Sequence, residues 1–260
     1  MRMRNLIVAL GLALVSAPAF ADIVSLLGIT GTWINAVPPP PATTIVNGTP
    51  SSTIFWGVPA TASGQSGYTY TAAGGTVSFT VNPPATSTPP ALLGTFVHLN
   101  FPIFPPFLQS VNLSISADVV VAGTDEGVHT FVFHFVHDET PNGGPPGGPF
   151  TGPCPFGGPN GTGININGCA DAVTVSAVSA SDSFIVNGIK YTLNLLGFSQ
   201  DGGATIANQF LTIENQTNTA GLYADVTAQK QNQVPEPGSL ALVGLALLGV
   251  AGIMRRKSSK

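Results

Sequence analysis

Charged side chains are scarce in this sequence, and basic ones are almost absent from its middle. The 260 residues include 8 Lys and Arg and 12 Asp and Glu. Between Asp22 and Pro235 there are 11 acidic residues and only 2 basic ones, Lys190 and Lys230. Because a surface with this excess of negative charge repels phosphate backbones, we expect no nucleic-acid partner.

Helical periodicity and nucleophile motifs are also lacking. The 31 Gly and 23 Pro are too many for a helical bundle, because both residues destabilise helix interiors. The segment 64–67, G-Q-S-G, falls short of the G-x-S-x-G motif and has no strand-to-helix context. No catalytic triad emerges from the sequence. We therefore expect a protein that is not an enzyme, with activity on a polysaccharide as the alternative.

Residues 1–21 have the three zones of a secretory signal peptide. Arg2 and Arg4 form a positive start, and 6–15 is an uncharged apolar run. Ala19 and Ala21 stand at the −3 and −1 positions for cleavage after Ala21. We predict that this segment directs secretion across the inner membrane and is then removed; a short uncleaved anchor is the alternative.

Residues 234–260 combine three features in a fixed order. A proline-containing motif comes first, an apolar stretch at 239–254 follows, and a basic cluster comes last. The motif and the cluster consist of Val234, Pro235, Glu236, Pro237, Arg255, Arg256 and Lys257. The apolar stretch is near the lower limit for a transmembrane helix, and the basic cluster would stay on its cytoplasmic side. A plain tail anchor is the alternative.

This combination resembles the PEP-CTERM sorting signal of Gram-negative bacteria. The resemblance implies recognition by an exosortase, a membrane cysteine protease-transpeptidase, with cleavage near Pro235 to Pro237. It further implies a transient inner-membrane anchor, followed by placement at the cell surface or in the extracellular matrix. Proteins with this signal are associated with exopolysaccharide and biofilm production.

Period-2 patterns recur between the two ends. Residues 111–121 alternate apolar and polar side chains, which predicts a half-buried strand, and 128–136 is rich in β-formers. The runs 183–186 and 189–198 flank Asn187-Gly188, the strongest short hairpin signal. Further predicted strands are 23–27, 52–56, 67–71, 76–81, 92–99, 172–177, 210–214 and 222–228.

Many short strands separated by turns predict an all-β protein. We expect residues 22–233 to form one antiparallel β-sandwich, of which a jelly roll is one form, followed by the C-terminal hydrophobic helix. A barrel is the alternative architecture.

The two cysteines, Cys154 and Cys169, lie in and just after a segment at 141–168 that is rich in Gly and Pro. An oxidising compartment beyond the inner membrane favours a disulfide bond between them. Reduced thiols or metal ligands are the alternative.

Several segments of the middle occur in an order typical of one family. They are G-I-T-G-T-W-I-N at 28–35, L-G-T-F-V-H-L-N-F-P-I at 93–103, F-H-F-V-H-D-E-T-P-N at 133–142, A-D-A-V-T-V at 170–175 and N-T-A-G-L-Y at 218–223. Together they resemble the THxN-type PEP-CTERM exported proteins, which are related to the choice-of-anchor K domain. His98 and Asn100 match the motif, whereas Val97 stands where the family has Thr. The resemblance implies architecture and export, not chemistry.

Histidines are candidate metal ligands or sheet caps. In a regular strand His129 and His137 share one face, and His134 points to the other. His98 and Asn100 also share a face, and the favoured interpretation is a buried pair that bonds loop carbonyls.

Calcium is a further hypothesis, because the chain is acidic and carries an extracellular address. The candidate ligands are Asp125, Glu126, Asp138 and Glu139. The two pairs bracket a predicted strand and lie about 30 Å apart, so they cannot form one site. Either pair could join another carboxylate across a loop, and the candidates for this are Asp118, Asp171 and Asp182.

These features together predict an exported structural or adhesive protein of the cell surface or exopolysaccharide matrix. Its expected partners are the secretion machinery, an exosortase and extracellular polysaccharide. The alternative is a carbohydrate-binding module in which aromatic rings stack on sugars. The candidate rings, which could equally be core residues, are Trp33, Trp56, Tyr68 and Tyr70.

Overall fold

The computed structural model describes residues 21–82, 87–141, 152–177 and 183–231. Apart from Ala21, the predicted signal peptide lies outside these residues, as do the sorting motif, the basic cluster and the predicted transmembrane helix at 239–254. Within the described ranges, no helix has the length and apolar character needed to cross a membrane.

Fifteen strands and one 3₁₀ turn make up the described secondary structure. The first eight strands are β1 (Asp22–Val37), β2 (Thr43–Val46), β3 (Ser51–Trp56), β4 (Val58–Pro59), β5 (Ser66–Ala72), β6 (Val77–Val81), β7 (Ala91–Asn100) and β8 (Ile103–Phe104). The others are β9 (Ser110–Val121), β10 (Thr124–Asp138), β11 (Asp171–Ala177), β12 (Ser183–Val186), β13 (Ile189–Ser199), β14 (Gln209–Thr212) and β15 (Gln216–Lys230). The 3₁₀ turn is Gly163–Asn165 and lies before β11.

The strands form two large sheets, one of six strands and one of seven. The first has the order β14-β11-β10-β9-β1-β6, and the second has the order β12-β13-β15-β7-β5-β3-β2. Strands β4 and β8 form a separate two-stranded sheet. All of the described strand pairs are antiparallel. The predicted antiparallel β-sandwich is confirmed.

Strand β9 shows how the sequence pattern builds this sandwich. Its odd-numbered side chains from Val111 to Val121 are buried, and the even-numbered ones between them are half-exposed. Strand β10 pairs with it so that Phe131, Phe133 and Phe135 enter the same core. Because side chains alternate across a strand, one face is apolar and the other polar without any break in the ladder.

Aromatic rings from both sheets meet in the middle of the core. Trp33 of β1 and Phe135 of β10 lie edge to face with their ring centroids 5.6 Å apart. Phe96 of β7, in the other sheet, stacks on Phe135 at 5.6 Å and 10°. Each such pair contributes about 0.5–1.5 kcal/mol beyond the burial of its area. These contacts hold the two sheets face to face.

The predicted hairpin at Asn187-Gly188 is confirmed. Strands β12 and β13 pair from Ser183↔Thr192 to Val186↔Ile189, which leaves two residues in the loop. Asn187 has φ 51° and Gly188 has φ 74°. Positive φ at both central positions is the requirement of a type I′ turn, which asparagine and glycine meet at low cost.

Truncation of a core side chain tests the alternation in β9. Leu113→Ala should lower the free energy of unfolding by about 3 kcal/mol, because a fully buried leucine leaves a cavity. The measurement is chemical denaturation of the folded protein. Ser114→Ala, on the outer face one residue along, is the matched control and should change it by less than about 0.5 kcal/mol. Equal effects of the two changes would contradict the assigned faces.

Candidate functional site

Five ionisable side chains lie together at one end of the sandwich. Strand β7 supplies one from the second sheet, and the ends of β10, β11 and β14 supply the others from the first sheet. Antiparallel pairing explains this meeting, since Asp138 lies opposite Ala172 and Asp171 lies opposite Thr212. The histidine–carboxylate cluster, as we call it, consists of His98, His137, Glu139, Asp171 and Glu214.

The cluster is sealed from solvent. The relative exposure is 0% for His98 and Asp171, 1% for Glu214 and 5% for His137. The Glu139 side chain is 6% exposed. Groups of this type are rarely buried unless they are paired or bind a metal, so their concentration here requires an explanation.

The distances within the cluster are short. His98, His137 and Asp171 each offer one ligand-capable atom, and these three atoms lie within 4.8 Å of one another. His137 Nε2 is 3.9 Å from Asp171 Oδ2 and 3.1 Å from Glu139 Oε2. The two imidazole rings are nearly perpendicular, at 89°, with their centroids 5.2 Å apart.

The second nitrogen of each histidine is held by a hydroxyl group. Tyr68 Oη lies 2.7 Å from His137 Nδ1, and Thr212 Oγ1 lies 2.9 Å from His98 Nδ1. Thr212 Oγ1 donates its single proton to the Asp171 carbonyl oxygen and accepts the amide of Asn100. His98 must therefore donate from Nδ1, which leaves the lone pair on Nε2.

One side of the Asp171 carboxylate is anchored by a neighbouring loop residue. Oδ1 accepts the Thr140 backbone N–H at 2.7 Å and lies 2.9 Å from the Thr140 hydroxyl. Oδ2 has no hydrogen-bond partner among the described residues. The carboxylate is thus fixed in place with one oxygen left over.

Further buried atoms of the cluster also lack well-formed hydrogen bonds within the described part of the chain. They are His98 Nε2, Glu139 Oε1 and both carboxylate oxygens of Glu214. The Trp56 indole nitrogen and Asn100 Oδ1, beside the cluster, share this state. Leaving a buried polar group unpaired costs about 1–3 kcal/mol, and such groups are uncommon in folded proteins.

Burial is the main cause of the pKa shifts of the three carboxyl groups in the cluster. It raises the pKa of Glu139 to about 8, although the nearby Trp56 indole partly opposes this shift. Burial, reinforced by the Glu139 carboxylate, raises the pKa of Asp171 to about 7. Burial, with repulsion from Asp171 and Glu139, raises the pKa of Glu214 to about 9. The cause common to all three is burial, which penalises the charged form.

The histidines respond in the opposite sense. Burial lowers the pKa of His98 well below its usual value, and proximity to His137 lowers it further. Burial also lowers the pKa of His137, although Asp171 and Asp138 oppose the shift. His137 in turn partly lowers the pKa of Asp171. The described ranges contain two basic residues, Lys190 and Lys230, and both lie at the hairpin end of β13 and β15.

The structure brings some of the sequence-derived candidates together and separates others. His98 and Asn100 lie on the buried face of β7, and Asn100 Nδ2 donates to the Thr212 carbonyl at 3.1 Å. His137 joins the cluster. His134 points to the outer face, where it pairs with Asn112 at 2.7 Å. His129 packs on Phe184 with the ring centroids 4.8 Å apart.

The four calcium candidates are divided between the two ends of β10. Asp125 and Glu126 lie at its start, where Asp125 Oδ1 accepts the Gly127 N–H within the same turn. Asp138 is exposed at the other end, and Glu139 enters the cluster. Asp171 is the carboxylate that Glu139 joins across a loop, whereas Asp182 lies outside the described residues.

Sequence reasoning missed Glu214 and Thr212. Their place beside the cluster results from the position of β14, which lies at the edge of the first sheet and pairs with the start of β11. Both lie in the predicted strand at 210–214, where period 2 puts them on the same face as Phe210. Which other ionisable groups they meet depends on the strand pairing, which the sequence does not show.

The predicted disulfide bond joins Cys154 to Cys169. It closes the loop that leads into Asp171, and Cys169 O accepts the Thr140 hydroxyl at 2.7 Å. From the same loop, Asn167 Nδ2 donates to the Glu214 carbonyl at 3.2 Å. The disulfide-closed loop is therefore hydrogen-bonded to Thr140, which supports Asp171, and to the backbone of Glu214.

The four aromatic candidates for sugar stacking are all core residues. Trp33 is 1% exposed, and Trp56, Tyr68 and Tyr70 are fully buried. The sugar-stacking hypothesis is wrong for these rings, because a ring without exposed surface cannot meet a ligand. Trp56 instead lies against both histidines, with centroids 5.8 Å from His98 and 5.1 Å from His137.

Removal of the disulfide bond tests its role as the closure of this loop. Cys154→Ser should lower the melting temperature under non-reducing conditions, corresponding to about 3 kcal/mol of stability for a closed loop of this length. Calorimetry and limited proteolysis of the loop are the measurements. The wild-type protein with reductant is the control and should melt with the variant. An unchanged melting temperature would contradict the expectation.

Removal of the Thr212 hydroxyl tests whether its hydrogen bonds to His98 and Asn100 stabilise the cluster. Thr212→Val keeps the shape but removes the acceptor of the His98 Nδ1 donor and one of two acceptors of the Asn100 amide, so the free energy of unfolding should fall by about 1–3 kcal/mol. Thr219→Val, at an exposed position of β15, is the matched control and should change it by less than about 0.5 kcal/mol. Equal values for both variants in denaturant titrations would disprove the hydroxyl's role.

Comparison with known proteins identifies the C-terminal segment. Residues 233–257 match the PEP-CTERM protein-sorting motif. No curated protein matches the chain. The finer resemblance to the THxN type and the choice-of-anchor K domain stays a prediction, because the matched segment lies outside the domain that carries it. The chain carries the sorting signal of PEP-CTERM exported proteins, which implies an extracellular, exosortase-sorted protein.

Proposed function

We infer that the protein is a structural component of the cell surface or the exopolysaccharide matrix, placed there after processing by an exosortase. The observation that carries this proposal is the sorting motif at 233–257. It begins two residues after the last described residue, which directly follows β15. The sandwich is therefore the part that the signal delivers outside the cell.

The outer face of the first sheet supports a role in a hydrated polymer. Hydroxyl groups pair across its strands, with Ser25 Oγ 3.0 Å from Ser78 Oγ and Ser116 Oγ 3.0 Å from Thr130 Oγ1. These pairs are exposed and uncharged. Neutral hydroxyl rows can exchange hydrogen bonds with water and with polysaccharide hydroxyls at little desolvation cost.

Burial of the histidine–carboxylate cluster supports a non-catalytic role. A polysaccharide chain would need direct contact with an acid and a base or nucleophile. The cluster's carboxylates are at most 6% exposed, so such a substrate could not reach them in this conformation. The aromatic argument for a lectin-like module is lost with the burial of the tryptophans and tyrosines.

Sorting in the native host is the direct test. The wild-type protein should begin at Asp22, end near Pro235 to Pro237, and fractionate with the matrix polymer. Glu236→Gln alters the motif itself, so this variant should remain in the inner membrane with Lys260 intact. Glu126→Gln, at a partly exposed position of β10, is the matched control and should be sorted normally. Mass spectrometry of both termini in each cell fraction is the measurement.

The outcomes separate the alternatives. An intact C-terminus in the matrix fraction would contradict exosortase processing. Normal processing without polymer association would contradict the matrix role. Selective binding to one defined glycan on an array would favour a carbohydrate-binding module instead. Polysaccharide cleavage that disappears on substitution of a single carboxylate would favour an enzyme.

A further inference from the structure

No lysine or arginine among the described residues pairs with the carboxyl groups of the histidine–carboxylate cluster. Three carboxyl groups and two imidazoles are buried together, and the described lysines lie at the other end of the sandwich. A buried carboxylate is tolerated when it is protonated, paired with a cation or bound to a metal. His98 Nε2 and Asp171 Oδ2 have no hydrogen-bond partner among the described residues.

A bound metal ion would compensate the charge of the buried carboxylates and give His98 Nε2 and Asp171 Oδ2 a partner. The lone pair on His98 Nε2 is fixed by the Thr212 network, and Asp171 Oδ2 is left over after the other oxygen is anchored. Metal-bound histidines normally carry a hydrogen bond on their second ring nitrogen, which orients the ring. His98 and His137 both have that bond, to Thr212 and Tyr68.

We propose that His98, His137 and Asp171 bind one divalent transition-metal ion such as Zn²⁺, with Glu139 as the fourth ligand. His137 Nε2 and Glu139 Oε2 are 3.1 Å apart, close to the separation of about 3.3 Å between two ligands of tetrahedral zinc. The ligand atoms of His98, His137 and Asp171 all lie within 4.8 Å of one another. In a tetrahedral zinc site these atoms would lie about 3.3 Å apart.

The ligand types select the class of metal. Two imidazole nitrogens favour zinc and its first-row neighbours, whereas calcium prefers a shell of six to eight oxygens. Glu214 lies beside Asp171 and Glu139 but is not needed as a ligand. Since all the ligands are buried, the site has no open position for a substrate, which is the arrangement of a structural metal site.

The location of the site indicates what the ion holds together. His98 belongs to the seven-stranded sheet, and His137 and Asp171 belong to the six-stranded sheet. Asp171 also follows the disulfide-closed loop by two residues. One ion would thus join both sheets and the loop at the end of the sandwich that lies farthest from the lysines.

Cobalt titration of the untagged full chain tests the proposal. After chelation and dialysis, the protein should bind one Co²⁺ per chain with the visible absorption of a tetrahedral N/O site, and Zn²⁺ should displace it. His98→Gln should weaken binding by at least about 100-fold, and Tyr68→Phe by about 10–100-fold through the ring orientation of His137. His134→Gln, on the outer face, is the matched control and should bind like the wild type.

Each contrary result overturns the proposal. A chelated wild-type protein that takes up no Co²⁺ or Zn²⁺ overturns it without reference to any variant, so misfolding of His98→Gln cannot protect it. Equal binding by folded His98→Gln and wild type, checked by circular dichroism, would place the ion elsewhere. Stabilisation by Ca²⁺ but not by Zn²⁺ in thermal melts would overturn the choice of metal. None of these results bears on exosortase sorting.

Discussion

The central constraint on this fold is the burial of five ionisable side chains at one end of a sandwich with almost no basic residues. In strands such as β9, buried apolar side chains alternate with half-exposed ones, and burial of the apolar side chains determines which face of the strand points to the core. At the cluster, burial raises the pKa of all three carboxyl groups, and neighbouring carboxylates raise the pKa of Asp171 and Glu214 further. A chain that is exported with so few cations of its own can meet this constraint by taking up one from its surroundings.

The rest of the architecture holds that end closed. The antiparallel meander of β9, β10 and β11 carries His137 and Asp171 to the same edge, and β7 brings His98 across from the facing sheet. Thr140 links the end of β10 to both Cys169 and Asp171, so the disulfide-closed loop and the cluster form one connected network. Stability of this end therefore depends on the disulfide bond, the hydroxyl supports and the charge balance together.

Local patterns predicted most of the fold. The alternation in 111–121, the Asn187-Gly188 turn and the cysteine pair each depend on neighbours or on compartment, which a sequence displays directly. Strand β1 was predicted only at 23–27, although it extends to Val37, because its register shifts after Leu27 and after Ile34 interrupt the period of two. Gly28, at φ 57°, lies in the first of these irregularities.

The cluster itself was visible only in part, for a physical reason. His98 and His137 come from different sheets, and the Thr212 hydroxyl that orients His98 is 114 residues away along the chain.

The most direct measurement of the account is a crystal structure of the exported protein with anomalous diffraction at the zinc edge. The account predicts an anomalous peak bonded to His98, His137 and Asp171. Carboxyl groups hydrogen-bonded to one another or to water there, with no such peak, would contradict it.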